Sequence, residues 1–120
     1  MSNEIQGSLS LTVRKNGATL KIDKSFNADM LGNTILSNAQ VIGTVAEALT
    51  IPGDMTSIAQ LMIVNLDADN YVDFGLEATV ITQNFARLLA GKAMLLPPAT
   101  TTIYAKAHTA QVSVLVGAAM

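Results

Sequence analysis

Apolar and polar residues alternate without a break near the start of the chain. Ile5, Gly7, Leu9, Leu11 and Val13 interleave with Gln6, Ser8, Ser10, Thr12 and Arg14. A period of two puts these sets on opposite sides of a β-strand, one face buried and one wet. Asn16-Gly17 follows, and a type I′ turn needs positive φ at both central positions, which this pair tolerates best. The return strand is expected over Thr19 to Ser25, with Leu20 and Ile22 inward and Lys21 and Asp23 outward.

A second hairpin is read at Ser57 to Leu76. Ile58 to Leu66 is almost wholly apolar, as suits a strand covered on both faces or lying between a core and a partner. Asp67, Ala68, Asp69 and Asn70 supply turn chemistry, because Asp and Asn bond their own backbone. Val72, Phe74 and Leu76 then alternate with Tyr71, Asp73 and Gly75.

Elsewhere the pattern is shorter. Phe26 to Asn38 reads as a structured loop or short strand crossing the end of a sandwich, and a strand runs from Ala39 to Val45. Leu49 to Ile51 is extended, and Pro52-Gly53-Asp54 makes a turn with proline set for its first corner. Glu77 to Asn84 is a strand or an excursion at a sheet edge. Phe85, Arg87 and Leu89 alternate with Ala86, Leu88 and Ala90. Gly91 reads as a bulge, after which Lys92 to Leu96 continues the strand. A short helix over Gln83 to Ala93 is the competing reading. Pro97-Pro98 closes the segment. Thr101 to Ala107 and Gln111 to Val116 are the last strands.

Eight or nine strands with turns every 8–12 residues predict an all-β, mainly antiparallel, jelly-roll-like β-sandwich. Residues 1–120 are read as one domain. Its expected core is Leu9, Leu11, Val13, Leu20, Ile22, Ile63, Phe74, Ile103, Val112 and Val114.

Composition sharpens the picture on one point. Charged residues are 13% and hydrophobic residues 50% of the 120, with a mean hydropathy of +0.41. A chain this poor in charge hides surface in an oligomer or larger assembly. No run approaches the ~20 apolar residues of a membrane-spanning helix, so no membrane partner is expected. The net charge is −2, and the basic residues form no stripe with interleaved aromatics, so no nucleic-acid partner is expected. The polar start MSNEIQGS lacks the basic and apolar regions of a leader, and synthesis in the cytosol is the expectation.

Candidate chemistry is sparse. His108 is the one histidine and cysteine is absent, so neither a histidine–cysteine metal set nor a nucleophile–base pair has its partners. A solvated turn residue is the reading for His108. Asp67, Asp69, Asn70 and Asp73 superficially suggest calcium ligands but lack the glycine and distant glutamate of an EF-hand loop, so a plain turn is preferred. Gly53 and Gly91 belong to no phosphate-binding loop. Paired carboxylates for glycoside hydrolysis are not excluded by count, but an aromatic content of 4% without tryptophan leaves few platforms for sugars. Among the methionines, Met62 and Met94 are assigned to the core, and Met1, Met30, Met55 and Met120 to an adaptable interface. The expectation is no enzyme, no catalytic residue, no cofactor and no metal.

Three segments carry a family resemblance: Val41 to Asp54 (VIGTVAEALTIPGD), Val64 to Gly75 (VNLDADNYVDFG) and Thr102 to Ala107 (TIYAKA). This series resembles the small β-structured virion proteins of tailed bacteriophages, where a strand ending N-L-D-A-x-N-Y-V precedes a late I-Y-A-K-A strand. The match spans roughly the C-terminal two-thirds of the chain. The resemblance implies a structural role in the virion, on head or tail. A capsid cement or decoration protein suits a single small domain, with the major capsid protein and further copies of itself, as a trimer, for partners. Met1 to Gln6 or Leu115 to Met120 is expected to cross a subunit boundary. The alternative is a tail-associated structural, receptor-binding or carbohydrate-binding module.

Overall fold

The computed structural model describes residues 4–76, 84–98 and 100–120. It is all-β, with ten strands and no helix among the described residues. Contacts divide the chain into two compact units, Met1–Leu31 and Gly32–Met120.

The first unit is a two-stranded antiparallel ribbon of β1 (Ile5–Lys15) and β2 (Ala18–Ala28). The turn joins them as expected, with φ of 53° at Asn16 and 82° at Gly17. Register sets Leu11 opposite Ile22 and Val13 opposite Leu20, while Ser10 faces Asp23 and Thr12 faces Lys21. Ser10 Oγ donates to Asp23 Oδ1 at 2.5 Å, and Lys21 pairs with Asp23 at 3.6 Å. At the far end Phe26 lies opposite Gly7, its ring occupying the space where a Cβ would stand.

The ribbon corrects half of the expected core. Leu9, Leu11, Val13, Leu20 and Ile22 do share one face, but they are exposed, Leu11 at 53% and Ile22 at 55%. Alternation reveals that a strand has an apolar side, not that another layer covers it. Two strands alone provide no second layer.

The second unit holds two four-stranded sheets in a sandwich-like arrangement. The front sheet comprises β3 (Ile35–Ile42), β5 (Gln60–Asn65), β8 (Ala93–Leu96) and β10 (Val112–Ala119), in the order β3-β10-β5-β8. The back sheet comprises β4 (Glu47–Ala48), β6 (Val72–Gly75), β7 (Ala86–Leu88) and β9 (Tyr104–Ala107), in the order β4-β9-β6-β7. All pairings are antiparallel, and they are nested: β3 with β10, β4 with β9, β5 with β8 and β6 with β7. The path is that of one long folded ribbon whose tip is β6–β7. Pairs β10–β5 and β9–β6 join its halves within each sheet.

Ile63, Phe74, Ile103, Val112 and Val114 lie in the core as read from the sequence, each at most 1% exposed. Phe74 pairs with Ala105, and Val72 with Ala107, so small side chains beside large ones let the layers close without overpacking. Met55 is buried and Met62 is exposed, the reverse of their expected places, because Met62 falls on the outward parity of β5 between buried Leu61 and Ile63.

Several further readings change. β5 and β6 are not a hairpin: they belong to different sheets, and residues 66–71 form a corner between the layers. Gly91 is not a bulge within one strand. With φ of 73° it sits in a turn closed by Lys92 N–H donating to Leu89 O at 3.0 Å, which carries the chain from β7 to β8 and between sheets. Those two strands also exclude a helix across 86–93. β3 begins at Ile35 rather than Ala39, inside the stretch read as a structured loop or short strand. A turn forms at Pro52-Gly53-Asp54 as expected, but Met55 N–H donates to Pro52 O at 3.0 Å, so Gly53 and Asp54 are its corners and Pro52 precedes them instead of taking the first corner. The expectation for Glu77 to Asn84 lies outside the described residues except at Asn84.

Candidate interaction surfaces

The outer face of the front sheet follows from parity and register. Ala39, Leu115, Val64 and Ala93 form one row across the four strands. Ser37, Gly117, Met62 and Leu95 form the next. Val41 beside Ser113 and Ile35 beside Ala119 and Gln60 extend the face at its two ends. No residue in these rows is charged, and Ser37, Ser113 and Gln60 are its polar members. Val41 is 58% exposed, Ile35 68% and Leu115 41%. Inward residues of β5 and β10 are apolar too, apart from Asn65, so residues 61–64 and 114–119 read as continuous apolar runs. A sheet facing water on one side alternates instead.

The ribbon presents a second apolar surface. Its Leu9, Leu11, Val13, Leu20 and Ile22 stripe lies opposite a polar face carrying Arg14, Lys21 and Asp23. The two units differ in charge. Arg14, Lys15, Lys21 and Lys24 outnumber Glu4, Asp23 and Asp29 in the ribbon unit. In the body Glu47, Asp54, Asp67, Asp69, Asp73 and Glu77 outnumber Arg87, Lys92 and Lys106.

The outer face of the back sheet is of another kind. Asp73 and Arg87 are directly opposed on β6 and β7. Arg87 Nε donates to Asp73 Oδ1 at 2.8 Å and Nη2 to Oδ2 at 3.2 Å. The hydrogen bond that Arg87 donates to Asp73 raises the guanidinium pKa above its ordinary value. Its Cζ stands 4.2 Å from the Tyr71 ring centroid, and the opposite neighbour of Tyr71 is His108, stacked at 4.3 Å and 16°. With Asn84 and Lys106 these side chains line a shallow depression of about 300 Å³. His108 is exposed and follows β9, with its N–H donating to Tyr71 O at 3.1 Å.

The acidic corner is built as a turn. Asp67 Oδ2 accepts from the N–H groups of Asp69 at 3.1 Å and Asn70 at 2.7 Å. Asp73 lies apart from this corner, on β6 facing Arg87. Among the described residues no group of three or more His, Asp or Glu side chains is placed to hold a metal ion.

Sequence reasoning missed Asn65, which is 1% exposed. Its Nδ2 donates to Asn70 O at 2.9 Å and Leu88 O at 3.0 Å, and its Oδ1 accepts from Asp67 N–H at 2.8 Å. Asn70 extends the clamp, donating from Nδ2 to Ala110 O at 2.8 Å. The N-L-D-A-D-N segment is thus a structural knot tying the corner to β7 and to the loop before β10. Its signal in the sequence was an asparagine on the inward parity of an apolar strand.

No family model, curated protein or solved structure matches this chain.

Proposed function

We propose that this chain is a non-enzymatic structural protein of a phage virion, a cement protein that clamps neighbouring major capsid subunits and meets further copies of itself, as a trimer, at three-fold positions. The observation that carries the reading is the uncharged apolar outer face of the front sheet. An exposed apolar face of this kind marks a protein interaction site, and burying it between shell subunits adds interface without chemistry. The nested strand order supports a jelly roll of β3 to β10, in keeping with the resemblance to small virion proteins. A map of the intact particle tests this: the reading predicts density for the chain on the shell, and density on the tail alone would overturn it.

The Tyr71–His108 stack beside Arg87 and Asp73 favours one alternative, a tail-associated receptor- or carbohydrate-binding module. There the exposed His108 ring, held in place by Tyr71, would carry the sugar and the ion pair its hydroxyls. Saturable binding to host polysaccharide, lost in Tyr71→Ala, is the result that would favour this second reading.

A further inference from the structure

We propose that the depression on the outer face of the back sheet binds an acidic saccharide, its sugar ring on the exposed face of His108 and its carboxylate on Lys106. This goes beyond the capsid reading and deepens the second one: it rests on sugar binding at the Tyr71–His108 stack and names the class of sugar. Covering the front sheet on a shell leaves the site open, because the back sheet is the opposite layer of the sandwich.

The platform is fixed before any ligand arrives. The chain has one histidine and two tyrosines, and the histidine stacks on one of those tyrosines outside the core. Arg87 Cζ stands 4.2 Å from the Tyr71 centroid, and His108 covers the other face of that ring at 4.3 Å and 16°. Arg87 is held in turn by two hydrogen bonds to Asp73, and His108 N–H donates to Tyr71 O at 3.1 Å. A column secured at both ends loses little freedom when a ligand lands on it. The ring face it leaves open is the outer face of His108, which is exposed.

Charge at the site is unbalanced. Arg87, Lys106 and Asp73 are the charged residues that line the depression, and both Asp73 oxygens accept from Arg87. Lys106 lies opposite Asp73 in the strand register, yet it forms no ion pair among the described residues. Its ammonium is available to an incoming carboxylate, which gains a charge-assisted hydrogen bond there. Arg87 keeps the N–H groups of Nη1, and the amide of Asn84, also in the lining, adds an acceptor. Donors beside acceptors suit hydroxyl groups, which do both, better than they suit a bare anion. The volume, about 300 Å³, is at the small end of ligand sites and fits a terminal sugar instead of a long chain.

Titration followed by NMR tests the assignment. The probes are the methyl glycosides of glucuronic, galacturonic and N-acetylneuraminic acid, each beside its methyl ester. At least one acid is expected to bind roughly tenfold tighter than its ester, the ratio for one charge-assisted contact, with shifts centred on His108 and Lys106. Lys106→Gln should erase that ratio, and Lys21→Gln, on the ribbon, should keep it. His108→Ala should weaken acid and ester alike by roughly tenfold. Acid and ester binding equally would overturn the inference and leave a neutral-sugar site standing. No binding by any probe would also overturn it; the second reading falls with it only if host polysaccharide fails to bind as well. Acetate competing as strongly as the sugar acids would reduce the site to a bare anion contact and overturn the saccharide assignment. A preference that survives Lys106→Gln, or disappears in Lys21→Gln, would overturn the placing of the carboxylate.

Discussion

At the scale of single residues, Asn65 governs more than its size suggests. Asn65→Ala strands the carbonyls of Asn70 and Leu88 and the N–H of Asp67 in a buried corner, so it should cost about 3 kcal/mol of stability, read from urea unfolding. Asn65→Asp should be no milder, because a carboxylate would face two carbonyl oxygens. Phe74→Ala should cost about 3–5 kcal/mol, since the neighbouring Ala105 and Ala107 are too small to fill the space. If either variant unfolds at the parent midpoint, the assigned role is wrong. The turn chemistry of Asp67 was legible in the sequence because it is local, its carboxylate bonding N–H groups two and three residues on. The role of Asn65 was not, because its partner Leu88 lies on a strand 23 residues away.

At the scale of elements, local signals were read well and pairings poorly. Asn16-Gly17 specified its turn because positive φ at two adjacent residues is a demand that few sequences meet. The corner after β5 also has turn residues, but turn residues do not say whether the chain returns beside the same strand or crosses to another sheet. Gly91 carries the same ambiguity: positive φ serves a bulge and a crossing turn alike. A substitution separates the units. Gly17→Val meets no steric obstacle but strains a positive-φ backbone by about 1–2 kcal/mol. It should therefore raise amide hydrogen exchange along β1 and β2 while protection in β5 and β10 stays at the parent level. Loss of protection throughout would mean that ribbon and body unfold as one unit.

At the scale of the whole molecule, the all-β class and the body's core were legible, since inward positions such as Ile63, Val112 and Val114 repeat every second residue. Which apolar faces stay uncovered was not. Leu11 and Val114 are indistinguishable by pattern, yet one is half exposed and the other fully buried. Low charge content hinted that surface is hidden in an assembly, and the front sheet and ribbon stripe give that hint a location. An association built on apolar faces should persist at high ionic strength and tighten in sulfate, whereas one built on surface ion pairs would loosen. Sedimentation equilibrium of the purified chain over a dilution series, at low and high salt, tests the central claim most directly. The proposed self-association through an apolar face predicts a discrete multiple of the 12.6 kDa chain mass at both salts. A mass of 12.6 kDa at every concentration would contradict it.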